Sequence, residues 1–123
     1  MNKYRDKSDF EINKAVAEKS GKQFSLNGDT VFMKADEIPG IVTMSYIFDP
    51  CNDPADAMPI VINNKISLYA TRLNEDWMAE YAGGTEDVND GFQVDYFESH
   101  NQNPLRAAME VFLMMKDAEN EKS

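Results

Sequence analysis

Between Leu105 and Met115 the only polar residues are Arg106 and Glu110, four apart on one narrow face of a helix. Leu105, Ala108, Met109, Phe112 and Met115 share one side of that helix, flanked by Ala107, Val111 and Met114. A helix that is apolar around most of its circumference has to be buried. It is too short, and twice interrupted by charge, to be a membrane span, which needs about 20 apolar residues. Other elements must therefore cover it, and the alanines let a sheet or a second helix come close. A methionine-rich stripe of this kind can also serve as an adaptable partner groove, but the core reading fits the pattern better.

The start of this helix raises a separate question. Asn103 is a good N-cap and Pro104 takes the first helical position, where its missing N–H costs nothing. Asp53-Pro54 repeats the device, with Asp56 in the first turn where the helix dipole favours an anion. Arg106 opposes that rule, being a cation in a first turn. One reading pairs Arg106 with Glu110 or another acid. The other has Arg106, the helix amides and Asn101 or Asn103 receiving an anionic group such as a phosphate. The loops "DPCNDP" and "SHNQNP" contribute Asn52 and Asp53, and Trp77, with Tyr69, Tyr81 and Tyr96, offers a stacking wall. The candidate ligand-binding residues are thus Asn52, Asp53, Trp77, Asn101, Asn103 and Arg106.

The rest of the chain supplies the covering elements. Ser8 and Glu11 form a capping box, and Gly21 is a natural stop, so residues 9–20 read as a helix. Phe24 and Leu26, then Asn27-Gly28, then Val31-Phe32-Met33 read as a hairpin. Residues 38–40 are a turn, and Val42, Met44, Tyr46 and Phe48 alternate as a half-buried strand closed by Asp49-Pro50. A short helix near 54–63, bent by Pro59, is followed by a strand through Ile66, Leu68 and Ala70. Residues 77–81 and 92–98 are two more strands around an acidic, glycine-rich loop. The expected fold is α+β, one domain over 1–123. An antiparallel sheet of about four to six strands is packed by the buried C-terminal helix, with an N-terminal helix and a short middle helix. Residues 1–7 and 118–123 are expected to fray.

Charge narrows the function. The chain carries 22 acids against 12 bases, for a net charge of −10. That argues against non-specific binding to nucleic acid or to an anionic membrane, since there is no counterion release to gain, and no direct nucleic-acid or membrane partner is expected. Between Arg72 and Arg106 there is no Lys or Arg, while Glu75, Asp76, Glu80, Glu86, Asp87, Asp90, Asp95 and Glu98 all fall there. This run is either a solvated face or a docking face for a basic partner. The lone Cys51 allows no intrachain disulfide, and with no apolar leader the expectation is a cytosolic protein. Cys51 and His100 have no spacing that makes them a nucleophile and base, and the loop 86–91 fails the EF-hand pattern at Val88 and Phe97. No nucleotide, zinc or hydrolase motif is present. The reading is a non-enzyme with no cofactor and no metal.

Three blocks carry a resemblance. "SDFEINKAVAE", "FDPCNDPADAMPIVINNKISL" and "NPLRAAMEVFLMM", in that order and spacing, resemble the NinX-like family of small tailed-phage and prophage proteins. The resemblance implies a phage accessory protein acting in the cytosol of an infected bacterium, and it implies no catalytic mechanism. Both proline-started helices, with Asn52, Asp53, Asn103 and Arg106, lie inside the matching blocks.

Two functional expectations follow. The first is a small-ligand binder that sequesters a nucleotide-type host immune signal, with its site at the Arg106 corner. The alternative is an acidic protein that binds and modulates a basic, nucleic-acid-handling protein of host or phage. A homo-oligomer is compatible with either.

Overall fold

The computed structural model describes residues 2–35, 45–72, 75–82 and 96–122, with side chains described as far as 120. Three helices and six strands follow in the order α1 (Asp9–Ser20), β1 (Phe24–Asn27), β2 (Thr30–Lys34), β3 (Ser45–Ile47), α2 (Pro54–Asn63), β4 (Ser67–Ala70), β5 (Trp77–Ala82), β6 (Tyr96–Asn101) and α3 (Pro104–Lys122). All are accounted for among the described residues. The fold is α+β, as expected, with the C-terminal helix packed on strands. The six strands divide into two antiparallel sheets of three, ordered β1-β2-β3 and β4-β5-β6.

Helix boundaries follow their local chemistry. The Ser8 hydroxyl accepts from the Glu11 amide at 3.2 Å, and Gly21 closes α1 at φ 76°, a left-handed conformation that glycine adopts without strain. Asp53 accepts from the Ala55 amide at 2.9 Å to start α2. Pro59 sits inside α2 and removes one helical N–H. In the β1–β2 hairpin Asn27 pairs with Thr30, so Gly28, at φ 60°, and Asp29 form the two-residue turn.

α3 is the centre of the molecule. One side packs on β4, β5 and β6, and the other meets α1 and α2. α1 in turn packs on β2, where Val31 and Met33 are buried. Met109 and Leu113 of α3, with Ile12 and Val16 of α1, are wholly buried. Truncating Leu113 to Ala would cost about 2–5 kcal/mol, because a packed interior relaxes only partly around a hole.

Three local expectations change. Tyr46 is exposed beside Ile47, and among the described residues of that alternating run only Phe48 is buried, since β3 lies at the edge of its sheet. Its predicted beginning at 42–44, the turn at 38–40 and residues 92–95 lie outside the described residues. The segment 2–7, expected to fray, forms a turn whose Tyr4 is buried and whose carbonyls are drawn in by Arg106. α3 likewise continues through 118 to Lys122.

Candidate functional site

The starts of all three helices meet around Arg106. Asn103 caps α3, its Oδ1 accepting from the Leu105 amide at 3.0 Å. Its Nδ2 donates to the Cys51 carbonyl at 2.6 Å and to Asn52 Oδ1 at 3.1 Å, which ties α3 to the loop leading into α2. Asn52 Nδ2 donates to Asp9 of α1 at 3.3 Å and to Asp49 at 3.1 Å. Asn13 completes the link, donating to Asp49 Oδ1 at 2.8 Å and accepting from the Cys51 amide at 3.1 Å. Helix starts carry partial positive charge, so three of them together favour the carboxylates found here.

Arg106 sits inside this frame with its side chain 7% exposed. Nε donates to Glu110 Oε2 at 2.7 Å and Nη1 to Asp9 Oδ1 at 2.6 Å. Nη2 donates to the carbonyls of Tyr4, at 3.0 Å, and Lys7, at 2.6 Å. These contacts occupy four of the five N–H groups of a guanidinium. Glu110, 1% exposed, also accepts from Asn2 and Ser99, both at 2.6 Å. Burial works to lower the Arg106 pKa, but hydrogen bonds to Asp9 and Glu110 outweigh it and raise the pKa. Among the described residues no buried side-chain polar atom lacks a partner.

The corner therefore holds its own anion. Asp9 stands where an external phosphate would meet Arg106, so the pairing reading of the arginine is the one realised. The recess alongside, about 420 Å³, is lined by Asp9, Asp29 and Asp49 with Asn13 and Asn52, and its carboxylates repel a phosphate. Of the six candidate residues, Asn52, Asn103 and Arg106 join one network, and Asn101 adjoins it by accepting from the Asn103 amide at 2.9 Å. The Asp53 side chain accepts from the Ala55 amide of its own helix. Trp77 stands on β5 opposite Asn101, 38% exposed, outside the network. Asp9 and the carbonyls of Tyr4 and Lys7 were the missed partners. Only Glu110 was signalled in sequence, by its four-residue spacing.

Cys51 is buried, and burial, followed by the charge of Asp9, pushes its thiol up and away from reactivity. His100 pairs with Asp76 at 3.7 Å, while the Cys51 thiol donates to the Asp9 carbonyl at 3.9 Å, so their contacts are separate. The loop 86–91 lies outside the described residues. Among the described residues no group of three or more His, Cys, Asp or Glu is arranged to hold a metal. No described helix is long and apolar enough to cross a membrane.

The second notable surface is the outer face of β4–β6. Register assigns it from Ala79 and Ser99, which are buried and opposite one another. Strand side chains alternate, so the neighbours Met78, Glu80, Tyr96, Glu98 and His100, with Tyr69 of β4, face away from α3. Tyr69 is 40% and Tyr96 47% exposed. Glu80 and Glu98 are direct cross-strand partners, an arrangement that like charges make unfavourable. Tyr96 Oη lies 2.8 Å from Glu80 Oε2 and 3.1 Å from Glu98 Oε2, sharing one proton between them. The hydrogen bond to Glu80, then desolvation and the bond to Glu98, raise the tyrosine pKa. The four aromatics expected to form one wall are split, since Tyr69 and Tyr96 take this face while Tyr81 packs against the core.

No curated protein and no solved structure is significantly similar to the chain. A family model described as Bacteriophage P22, NinX matches residues 3–116, and so spans the Arg106 corner, both sheets and most of α3. By that match the chain belongs to the bacteriophage P22 NinX family.

Proposed function

We propose that this phage accessory protein works in the host cytosol by binding a basic partner protein through the outer face of β4–β6. The observation that carries the reading is the pair of exposed Glu98 and half-buried Glu80, set opposite one another between Tyr69 and Tyr96. A like-charge cross-strand pair costs the fold stability, and a partner's cation would relieve that cost. Tyrosines are enriched at protein interfaces, where they give contact area at low entropic cost. The net charge of −10 steers a basic partner toward the protein. The basic surface with which a nucleic-acid-handling protein neutralises phosphates makes such a protein the natural occupant.

The other reading, sequestration of a nucleotide-type immune signal, requires a cation open to a phosphate. Arg106 is enclosed by Asp9, Glu110 and two carbonyls, so the corner does not support it.

The test is affinity capture from host lysate on immobilised wild type and on the folded double variant E80K/E98K. The wild type should retain basic proteins that the variant releases. An identical retained set would overturn the reading.

A further inference from the structure

We propose that the partner's contact segment is an extended, basic peptide that adds to the edge of β6 as a fourth strand. This rests on the acidic-face reading and specifies how the face is engaged.

Strand β6 pairs with β5 alone among the described residues, so it is an edge. The phase of the ladder follows from one bond. The Thr71 amide donates to the Asp76 carbonyl at 2.9 Å, and residues 71 and 76 continue the β4–β5 register. In an antiparallel sheet the N–H and C=O of a residue point to the same side and alternate along the strand. Residues 76, 78, 80 and 82 thus point toward β4, and Trp77, Ala79 and Tyr81 toward β6. Their opposites, Asn101, Ser99 and Phe97, carry the bonds of β6 to β5. The N–H and C=O groups of Tyr96, Glu98 and His100 point outward along the edge.

A groove of about 960 Å³ runs beside this edge. The opposite wall is made by Lys3, Tyr4 and Arg5 of the N-terminal turn and by Met114, Asp117 and Ala118 of α3. A strand laid there would send alternate side chains to two different surroundings. One set would lie on the outer face beside Glu98 and Glu80. The other would face the groove floor, where Met114 and Ala118 are apolar and Asp117 is already neutralised by Lys3 at 3.2 Å, with Arg5 beside them. The groove therefore selects basic residues at every second position with apolar residues between. A second copy of this chain is disfavoured as occupant, because it would set another acidic face beside this one. Backbone bonds supply affinity and alternate side chains supply specificity in strand addition.

Calorimetric titration with synthetic heptapeptides tests this directly. The probe peptide alternates lysine and valine, a second clusters the same lysines, and a third carries N-methyl groups on alternate backbone amides. The alternating peptide should bind at least about tenfold more tightly than either control, a difference of about 1.4 kcal/mol. It should also slow hydrogen exchange at the amides of Tyr96, Glu98 and His100. H100P removes an outward N–H without touching the β5 ladder or the two glutamates, and it should lose the peptide. If H100P fails to fold, the N-methylated peptide on wild type decides the matter. Equal affinity for all three peptides, lost only in E98Q, would overturn strand addition and leave the acidic face standing. No peptide binding, with lysate capture still sensitive to E80K/E98K, would also overturn strand addition alone. Capture insensitive to E80K/E98K would overturn the acidic-face reading itself.

Discussion

Arg106 Nη1 lies 2.6 Å from Asp9 Oδ1, joining the first turns of helices that start 95 residues apart in numbering, at Asp9 and Pro104. This contact turns the cation at a helix start from an anomaly into a keystone. Its guanidinium also gathers Glu110 and the N-terminal turn, so losing it strands a buried carboxylate. Arg106→Ala should destabilise the protein by about 3–5 kcal/mol in urea unfolding, the usual cost of breaking one side of a buried pair. The double variant R106M/E110M should recover most of that loss, because no buried charge is left unpaired. Arg106→Lys should behave like a loss rather than a conservative change, since an ammonium cannot span Asp9, Glu110 and two carbonyls.

Asn103 does two jobs at once, capping α3 and bonding the Cys51 carbonyl. Asn103→Asp should keep the cap and lose the tie, while Asn103→Ala loses both. The alanine variant should fall by about 1–2 kcal/mol from the cap alone, with a further loss for the stranded carbonyl. Thermal unfolding of the two variants side by side separates the contributions.

Alkaline pH should unfold the protein through buried protonated groups. Tyr4 donates to Asp117 from a buried position, and burial, then Asp117, raises its hydroxyl above the ordinary value of 10.0. The Cys51 thiol is raised above 9.0, chiefly by burial. A group whose folded pKa is raised contributes stability that is complete below its unfolded value and lost as pH climbs through the folded one. Stability should therefore fall from about pH 9 upward, through linkage of these two protons. Tyr4→Phe and Cys51→Ala should each flatten that limb in a denaturation series across pH. In the native protein below that window, Cys51 should resist thiol reagents until the chain unfolds.

How much of this was legible in the sequence follows from range. The helix starts at Ser8, Asp53 and Asn103 were readable because a cap and its amide lie two or three residues apart. The burial of α3 was readable from its apolar circumference. The partner of Arg106 was not, because Asp9 is far away in sequence and the carbonyls of Tyr4 and Lys7 belong to a segment with no local signal for order. The acidic run was visible too, but not that Glu80 and Glu98 stand opposite each other. That depends on the register of β5 with β6, which period-two patterning leaves undetermined.

Removing one carboxylate from the β4–β6 face should help the fold while harming binding. Glu98→Gln should stabilise the protein by about 0.2–1 kcal/mol at low salt, since it ends a direct like-charge pair. The gain should shrink as salt rises, because exposed charges are screened. Chemical denaturation at two ionic strengths checks the sign and its salt dependence.

The most direct test of the central claim is a hydrogen-exchange footprint of the partner captured on wild type. New protection is expected at the amides of Tyr96, Glu98 and His100, with Asn103 to Arg106 unchanged. Protection centred on Asn52, Asn103 and Arg106, with β6 unaltered, would contradict it.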